Sequence, residues 1–483
     1  MNEQHLRPHR YLGGTEMEYP LYPIYADGHD YIPKNKGDST YASAAFAQLP
    51  KRLGTNEDNG FASTGARIYE ELGEKLEYCT PECTSYIDTV HSTIAGERTV
   101  VAAAKKAAQA TDELKDIQIL GRVIDNEGET WGYHENYLVS REAFDPPERL
   151  GKNTLSLQQV MLAHFATRSI FTGAGLLVCT TDRGVHVRPA QKVPRLQQEV
   201  TYGTTGTDKG LYNMRDESLT ISRVIDKKRA RLHVTNGDYV ILPEASWLKT
   251  GCTAICAYLG EIGYLKTSDG IHLPPNRSLR IAKRVGRDAD SRFVIPGTDH
   301  NSLVSAVDVQ EKLCTLAQKF DANYPGLLTS EDKIVLSAWQ RTIDDFRWRR
   351  ENLLFKIDWL TRQHILEQYD QKRGPLSFKE LQTVEKAWDD LAVSVGINSR
   401  DKASFNLYNP REIRRLQKEP TIGSRVEVRG RLIGNHYSKN TIKADWEYVS
   451  ITPPSGRSVR VRLSDPFQTH IPAHTAARLA ELA

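Results

Sequence analysis

The stretch GARIYEELGEKLEYCTPEC, residues 65–83, decides the fold of this chain. Apolar and aromatic residues alternate with polar ones along it, a pattern that predicts β-strands. Carboxylates are poor strand residues, yet Glu71 and Glu77 lie here close to Arg67 and Tyr69. This placement indicates that the acidic side chains have a use, and partners for them are expected on other strands.

The composition is that of a folded globular protein. Of its 483 residues, 39% are hydrophobic and 26% charged, which argues against a disordered or membrane-spanning chain. The 64 basic and 61 acidic residues leave a net charge of +3, so neither a nucleic-acid nor a membrane partner is expected. The first residues lack the apolar segment of a secretion signal, and the six cysteines are too sparse for a disulfide scaffold. We therefore expect a cytoplasmic protein with buried thiols.

Residues 1–300 are predicted to be rich in strands. Residues 13–32 read as strand, turn, strand, and place Glu16 and Glu18 on one face of the first strand. The alanine-rich residues 85–115 predict a helix. IQILGRVIDN, residues 117–126, and WGYHENYLVS, residues 131–140, predict a further strand pair, in which His134 and Asn136 share a face.

The second part of the chain changes character twice. Residues 301–397 have a helical period and predict a helical layer packed on the sheet. Three later segments alternate with period 2 and predict strands: SRVEVRGRLIG at 424–434, ADWEYVSITPP at 444–454 and RSVRVRLSDPF at 457–467. The prediction is an α+β fold with a catalytic domain at 1–410 and a small β-rich domain at 411–483.

The carboxylates allow two interpretations. Glu16, Glu18, Glu71 and Glu77 could converge on a hard cation such as Mg²⁺, which prefers oxygen ligands. They could equally face water on a half-exposed antiparallel sheet, and spacing alone favours this second interpretation. A further set of polar residues could likewise belong to a site or simply be solvated or satisfied by their neighbours: His134, Asn136, Asn213, Arg215, Asp216, Arg231 and His233. Arginines of this set are of the type that clamps phosphate, but no Walker or Rossmann motif is present.

Taken together, these segments resemble the family of Pup ligases and depupylases, which attach and remove a small prokaryotic ubiquitin-like protein. GTEMEY at 14–19 is similar to that family's G-x-E-x-E-[FY], and residues 65–83 are similar to its N-G-A-R-[LF]-Y-x-D…H-P-E-Y-[AS]-[TA]-[PA]-E-C. Further segments follow in the family's order: WGYHENYL, FATRSIFTGAG, NMRDES, RLHVTNGD, KIDWLTRQHILEQY, ADWEYVSI and LSDPF. The likeness covers nearly the whole chain.

The resemblance implies a glutamine-synthetase-like fold, in which a curved antiparallel sheet cradles ATP and Mg²⁺ with helices packed behind it. The metal ligands that it implies are Glu16, Tyr69 and Glu77, with Glu18, His134 and His233 as further candidates. The ATP contacts that it implies are Arg67, Thr80 and Trp446, with Asn136 and Arg231 as further candidates. The catalytic residues that it implies are Glu71 and Arg215.

The chain departs from the family pattern at three places. Glu71, preceded by Glu70, stands where the family has its catalytic Asp, and its side chain is one methylene longer. Lys75 and Leu76 replace the family's His-Pro, and Ser218 replaces a Pro.

These observations leave three hypotheses about function. The first is an ATP-dependent ligase that joins the glutamate side chain of a Pup-like protein, or of a peptide ending in Glu, to a lysine or another amine. The second is a depupylase-type amide hydrolase, and the third is a catalytically weak nucleotide-binding regulator, suggested by Glu71. Residues 19–64 are too few for the depupylases' additional loop, which favours the ligase.

Overall fold

The computed structural model describes most of the chain. The described residues are 6–27, 44–45, 47–48, 60–71, 75–124, 128–143, 153–201, 210–213, 229–273, 277–295, 303–392, 400, 407–437 and 440–481. Arg215, Asp216 and Ser218, all named in the sequence-based predictions, lie outside them.

Strands and helices alternate along the described chain. The strands are β1 Gly13–Tyr19, β2 Leu21–Tyr25, β3 Arg67–Glu71, β4 Lys75–Cys79, β5 Leu114–Ile119, β6 Tyr133–Ser140, β7 Leu176–Thr180, β8 Gly184–Arg188, β9 Gln198–Thr201, β10 Gly210–Asn213, β11 Arg229–Val234, β12 Arg292–Val294, β13 Leu303–Ser305, β14 Thr441–Asp445, β15 Tyr448–Thr452 and β16 Val459–Arg462. The α-helices are α1 Tyr86–Gln109, α2 Leu157–Thr167, α3 Ser169–Thr172, α4 Pro243–Glu261, α5 Ser278–Arg287, α6 Ala306–Asn323, α7 Ser330–Trp348, α8 Asp358–Arg373, α9 Phe378–Asp389, α10 Pro410–Leu416, α11 Arg425–His436 and α12 Ala473–Ala480.

The chain divides into two compact units, each assembled from separate segments. The first unit comprises Met1–Tyr11, Arg122–Asp389 and Ser394–Leu407. The second unit comprises Leu12–Gly121, Asp390–Val393 and Tyr408–Ala483. The domain boundary predicted near residue 410 stays a prediction, because these units are defined by packing and neither is continuous in sequence.

In the second unit, β4 lies between β3 and β1, and both pairings are antiparallel. Helix α1 packs against β1 and β5, and its first turn is capped by Ser85, whose side chain accepts a hydrogen bond from the amide of Asp88. The C-terminal segment forms the antiparallel sheet β14-β15-β16, on which α11 packs. Phe61 joins the buried core of this segment, so the residues just before β3 and the C-terminal segment share one core.

In the first unit, β6, β11, β10 and β9 lie side by side in that order. The pairs β6-β11 and β11-β10 are antiparallel, whereas β10 and β9 run parallel. Helix α4 packs against β6 and α2, and α6 and α7 pack against one another. α4 is almost wholly buried, as is typical of a central core helix.

Most predicted elements are confirmed. Strands form on both sides of Pro20 and in residues 65–83, a long helix follows, and helices dominate the region from Ala306 to Asp389. Two predictions are wrong. SRVEVRGRLIG forms helix α11 rather than a strand, and β5 pairs with β2 while β6 pairs with β11, so β5 and β6 are not partners. No described helix is long and apolar enough to cross a bilayer.

Candidate active site

The second unit gathers the predicted carboxylates on one face of β1, β3 and β4. Antiparallel partners point to the same side of a sheet, and the register pairs Glu18 with Glu77, Tyr69 with Glu77, and Glu71 with Lys75. We call the residues on this side the acidic face: Glu16, Glu18, Tyr69, Glu71 and Glu77. Arg67, Lys75 and Cys79 lie on the same side by register.

The side chains of the acidic face are close enough to influence one another. Glu77 is buried, and its pKa is raised well above its usual value by that burial, and then by the negative charges of Glu16, Glu18 and Glu71. Burial also raises the pKa of Tyr69, together with the charges of Cys79, Glu77, Glu16 and Glu71. The carboxylates therefore converge rather than extend separately into water.

Two neighbours contact the carboxylates of the acidic face. The Lys75 ammonium lies 2.7 Å from Oε2 of Glu18, in an ion pair between partly exposed side chains. The Cys79 thiol donates to Oε1 of Glu77 at 3.6 Å, and burial raises its pKa first, followed by the charges of Glu77 and Glu16. Neither interaction was predicted from the sequence. The family pattern has His at the position of Lys75 and Ala or Ser at the position of Cys79.

The acidic face fits a hard divalent cation. Carboxylate and phenol oxygens are the donors that Mg²⁺ prefers. Burial, and then the negative charges of neighbouring carboxylates, raise the pKa of Glu77, and a cation that neutralised these charges would stabilise its ionised form. The roles of Glu16, Glu18, Tyr69 and Glu77 as ligands remain predictions.

An aromatic and cationic group adjoins the acidic face in the second unit. The guanidinium carbon of Arg67 lies 3.8 Å from the ring centroid of Tyr69 and 5.8 Å from that of Phe61. The rings of Phe61 and Trp446 meet edge to face, with centroids 5.0 Å apart. Thr80 is buried just beyond β4, where its hydroxyl accepts a hydrogen bond from the amide of Thr15 at 2.9 Å. Arg67 and Trp446, both predicted ATP contacts, are thus linked through Phe61.

The first unit brings together another part of the predicted set. Asn213, His233 and Asn136 form a row across β10, β11 and β6, since His233 is the register partner of both asparagines. The ring centroids of His134 and His233 are 4.9 Å apart, and the two rings offer nitrogen atoms within 4.8 Å of one another. Arg231 lies on the same face, opposite Leu138.

This row offers groups suited to a polar ligand. Oδ1 of Asn136 is buried and accepts no hydrogen bond from the described residues. Buried polar atoms of this kind are costly unless a ligand or water satisfies them. The roles of His134 and His233 as metal ligands, and of Asn136 and Arg231 as ATP contacts, remain predictions.

A buried ion pair behind this row was missed by sequence reasoning. Arg168 donates from Nη2 to Oε1 of Glu135 at 2.7 Å and from Nη1 to Oε2 at 2.9 Å, and it also donates to Oδ1 of Asn236. Glu135 lies on β6 between His134 and Asn136. The pair thus fixes the strand that carries those two side chains. The Arg in FATRSIFTGAG was the available signal, but sequence spacing could not name its partner.

Comparison with known proteins agrees with the resemblance in the motifs. Residues 25–450 match the sequence model of the Pup-ligase protein family. A Pup–protein ligase of Acidimicrobium ferrooxidans is 27% identical over 418 residues, which cover 85% of this chain and 87% of the relative. A depupylase of Acidothermus cellulolyticus is 29% identical over 436 residues, which cover 88% of this chain and 82% of the relative.

Solved structures agree at the level of the fold. The Pup ligase PafA in its complex with Pup aligns with a TM-score of 0.81 at 20% identity, covering 98% of this chain and 92% of that one. PafA in complex with ADP aligns with a TM-score of 0.73 at 20% identity, covering 94% of this chain and 96% of that one. The predicted fold class, a sheet with packed helices and a β-rich C-terminal part, is therefore confirmed. Because the family's sequence model matches most of its length, the chain belongs to the Pup-ligase protein family.

Proposed function

We propose that this protein is an ATP- and Mg²⁺-dependent ligase. It activates the side-chain carboxylate of a glutamate, carried by a Pup-like protein or a glutamate-terminated peptide, and joins it to a lysine or another amine. The acidic face is the observation that carries this proposal, because Glu16, Glu18 and Glu77 converge beside Glu71 on one sheet face. Membership of the Pup-ligase protein family and its curated ligase relatives support it.

The reaction has two steps. The substrate carboxylate attacks the γ-phosphorus of ATP, the bond to ADP breaks, and an acyl phosphate forms. The amine nitrogen then attacks the acyl carbon, the bond to phosphate breaks, and an amide forms. When bound, Mg²⁺ supplies the positive charge that neutralises the phosphate oxygens.

The chain's own residues have assigned roles in these steps. Glu16, Glu18, Tyr69 and Glu77 would hold Mg²⁺, with His134 and His233 as further proposed ligands. Arg67, Thr80 and Trp446 contact ATP, with Asn136 and Arg231 as further proposed contacts. Arg215 stabilises the transferring phosphoryl group by analogy with the family motif.

Glu71 accepts the proton that the attacking ammonium must lose. By register its side chain lies on the same face as Tyr69 and Glu77, whereas Glu70 is exposed on the opposite side. Of the two adjacent carboxylates, Glu71 is therefore the one placed to act.

The test combines ATP, Mg²⁺, a Pup-like protein or a peptide ending in Glu, and an amine. We expect ADP release that requires both organic substrates, and a product whose mass is their sum less one water. The Glu16→Ala variant is expected to lose both signals. Unchanged product formation by this variant would refute the metal assignment.

Amide hydrolysis is the second candidate, favoured by the 29% identical depupylase relative. It predicts cleavage of a Pup–lysine isopeptide bond, or of a C-terminal glutamine amide, in which nucleotide is required but not consumed. Measuring ADP per product formed separates the two activities. If the protein is instead a regulator weakened at Glu71, the Glu71→Asp variant is expected to gain turnover.

A further inference from the structure

Arg429, on helix α11 of the second unit, is a fully buried arginine that no sequence motif singled out. Arginine is almost never fully buried unless it is paired. Its guanidinium donates to the carboxylate of Glu82, to the carbonyl oxygen of Gly65 at 3.2 Å and to the carbonyl oxygen of Trp446 at 2.9 Å. One side chain therefore ties together the turn before β3, the residues after β4 and the turn between β14 and β15.

The same guanidinium also contacts two aromatic rings. Its central carbon lies 5.0 Å from the ring centroid of Phe61 and 5.1 Å from that of Trp446. A cation this close to aromatic rings is attracted to their faces, and more strongly where water is excluded. The guanidinium carbon of Arg67 also lies near Phe61, 5.8 Å from its ring centroid. Arg429 thus contacts Trp446 directly and is connected to Arg67 through Phe61 and Gly65.

The close packing around Gly65 leaves this arrangement little freedom. Gly65 has a φ of +79°, and a Cβ there would come within 2.3 Å of Cγ1 of Val426 on α11. A Cβ at Gly430 would likewise lie 2.4 Å from the carbonyl oxygen of Ser63. Helix α11 is therefore pressed against residues 63–65, next to the strand that begins with Arg67.

Arg425 offers a natural comparison one helical turn away. It also pairs with Glu82, with Nε 2.8 Å from Oε1, but its other hydrogen bond reaches the carbonyl oxygen of Leu463. None of its hydrogen bonds to the described residues reaches Gly65 or Trp446. Both arginines pair with the Glu82 carboxylate, but of the two, only Arg429 has described contacts with the rings of Phe61 and Trp446.

We propose that Arg429 is a positioning residue for nucleotide binding, which fixes the Trp446 indole and the start of β3 through their carbonyl oxygens. The identity of the ligand rests on the proposed function. Arg429 itself does not need to touch the nucleotide, since groups held in place before binding lose less freedom on binding. Its planar fork of donors suits a site where three acceptors converge.

The test compares Arg429→Met with Arg425→Met. Each variant removes one arginine from Glu82, and only the first removes the hydrogen bonds to Gly65 and Trp446. We expect the ADP dissociation constant, measured by calorimetry, to rise about tenfold in Arg429→Met and less than about threefold in Arg425→Met. The KM for ATP should rise while kcat at saturating ATP changes less. Equal ADP affinity in the two variants would overturn the proposal.

Two further measurements keep the outcome decisive. If Arg429→Met does not fold, Arg429→Lys replaces it in the test, because lysine keeps the positive charge and loses the planar fork of guanidinium donors. We expect this variant to bind ADP more weakly while its unfolding temperature stays near the wild-type value. Unchanged ADP binding would overturn the proposal. Hydrogen exchange of residues 60–71 and 440–452 tests the positioning without any nucleotide. Faster exchange is expected in Arg429→Met only, and equal exchange in both methionine variants refutes it. Failure of the proposed function would look different, since the wild-type protein would then form no amide product from ATP, a glutamate-terminated substrate and an amine, whatever the ADP affinities of the two methionine variants.

Discussion

At the residue scale, Glu71 is the position where this chain differs most consequentially from its family. Glutamate reaches one methylene further than the aspartate of the family motif, and proton transfer requires hydrogen-bond reach. The adjacent Glu70 provides a matched control, because it differs in the face it occupies and not in chemistry.

We expect Glu71→Gln to lower the rate of product formation by about 10²- to 10⁴-fold, since the amide cannot accept the proton. ADP affinity should stay near the wild-type value. The measurement is product formation by mass spectrometry alongside calorimetric ADP binding. Glu70→Gln is expected to leave the rate almost unchanged, and equal losses in both variants would contradict the role assigned to Glu71.

The candidate site shows what a sequence can and cannot give at this scale. Spacing placed Glu16 and Glu18 on one face of a strand but favoured solvent exposure for the carboxylates, and it was the family resemblance that implied Glu16, Tyr69 and Glu77 as a common set. Lys75 was visible as a departure from the family pattern, but its contact with Glu18 depends on the register between strands, and the contact of Cys79 with Glu77 was not predicted. Arg429 carried no signal, since its partner Glu82 is 347 residues away.

At the element scale, helix α11 is the clearest failure of pattern reading. Val426, Val428, Gly430 and Leu432 alternate with charged residues and so favour a strand. The helix buries Arg429 as well, and a charged residue on the buried face conceals the helical period. β5 was similarly assigned to its neighbour in sequence, because strand pairing is decided by packing that no local pattern records.

The close approach of α11 to residues 63–65 makes two of its glycines respond oppositely to alanine. A Cβ at Gly430 would meet the Ser63 carbonyl oxygen at 2.4 Å, so we expect Gly430→Ala to lower the free energy of unfolding by about 1–3 kcal/mol. At Gly434 the nearest atom would be the Ser63 Cβ at 3.4 Å, an ordinary contact. Gly434→Ala should therefore be neutral or gain up to about 1 kcal/mol from helix propensity. Urea unfolding measures both, and equal effects would contradict this account.

At the scale of the whole molecule, the second unit contains an ion-pair cluster between distant parts of the chain, in which Arg425 and Arg429 pair with Glu82; we call this cluster the clamp. Burial on its own raises the pKa of Glu82, but the charges and hydrogen bonds of Arg429 and Arg425 outweigh it and lower the pKa from its usual 4.5 to about 2. A depressed carboxyl pKa stabilises the fold above pH 4.5, and this contribution is lost as the pH falls towards 2.

We therefore expect Glu82→Gln to lower the free energy of unfolding at neutral pH by about 3 kcal/mol. The difference from the wild-type protein should shrink between pH 4.5 and pH 2, as the wild-type carboxylate becomes protonated. Urea unfolding at a series of pH values measures it. Glu427→Gln is the control, because its partner Arg431 is exposed and such pairs contribute at most about 1 kcal/mol. A Glu82→Gln difference that is independent of pH would count against the clamp.

The discontinuity of the second unit also bears on how the protein is made. Glu82 leaves the ribosome 347 residues before Arg429. At typical rates of synthesis, that interval is on the order of tens of seconds. Throughout it, Phe61, just before the strands that carry the acidic face, lacks the C-terminal segment with which it shares a buried core. Until the last helices emerge, the incomplete sheet of the nascent chain is therefore prone to aggregation. Chaperone binding should matter most during this interval.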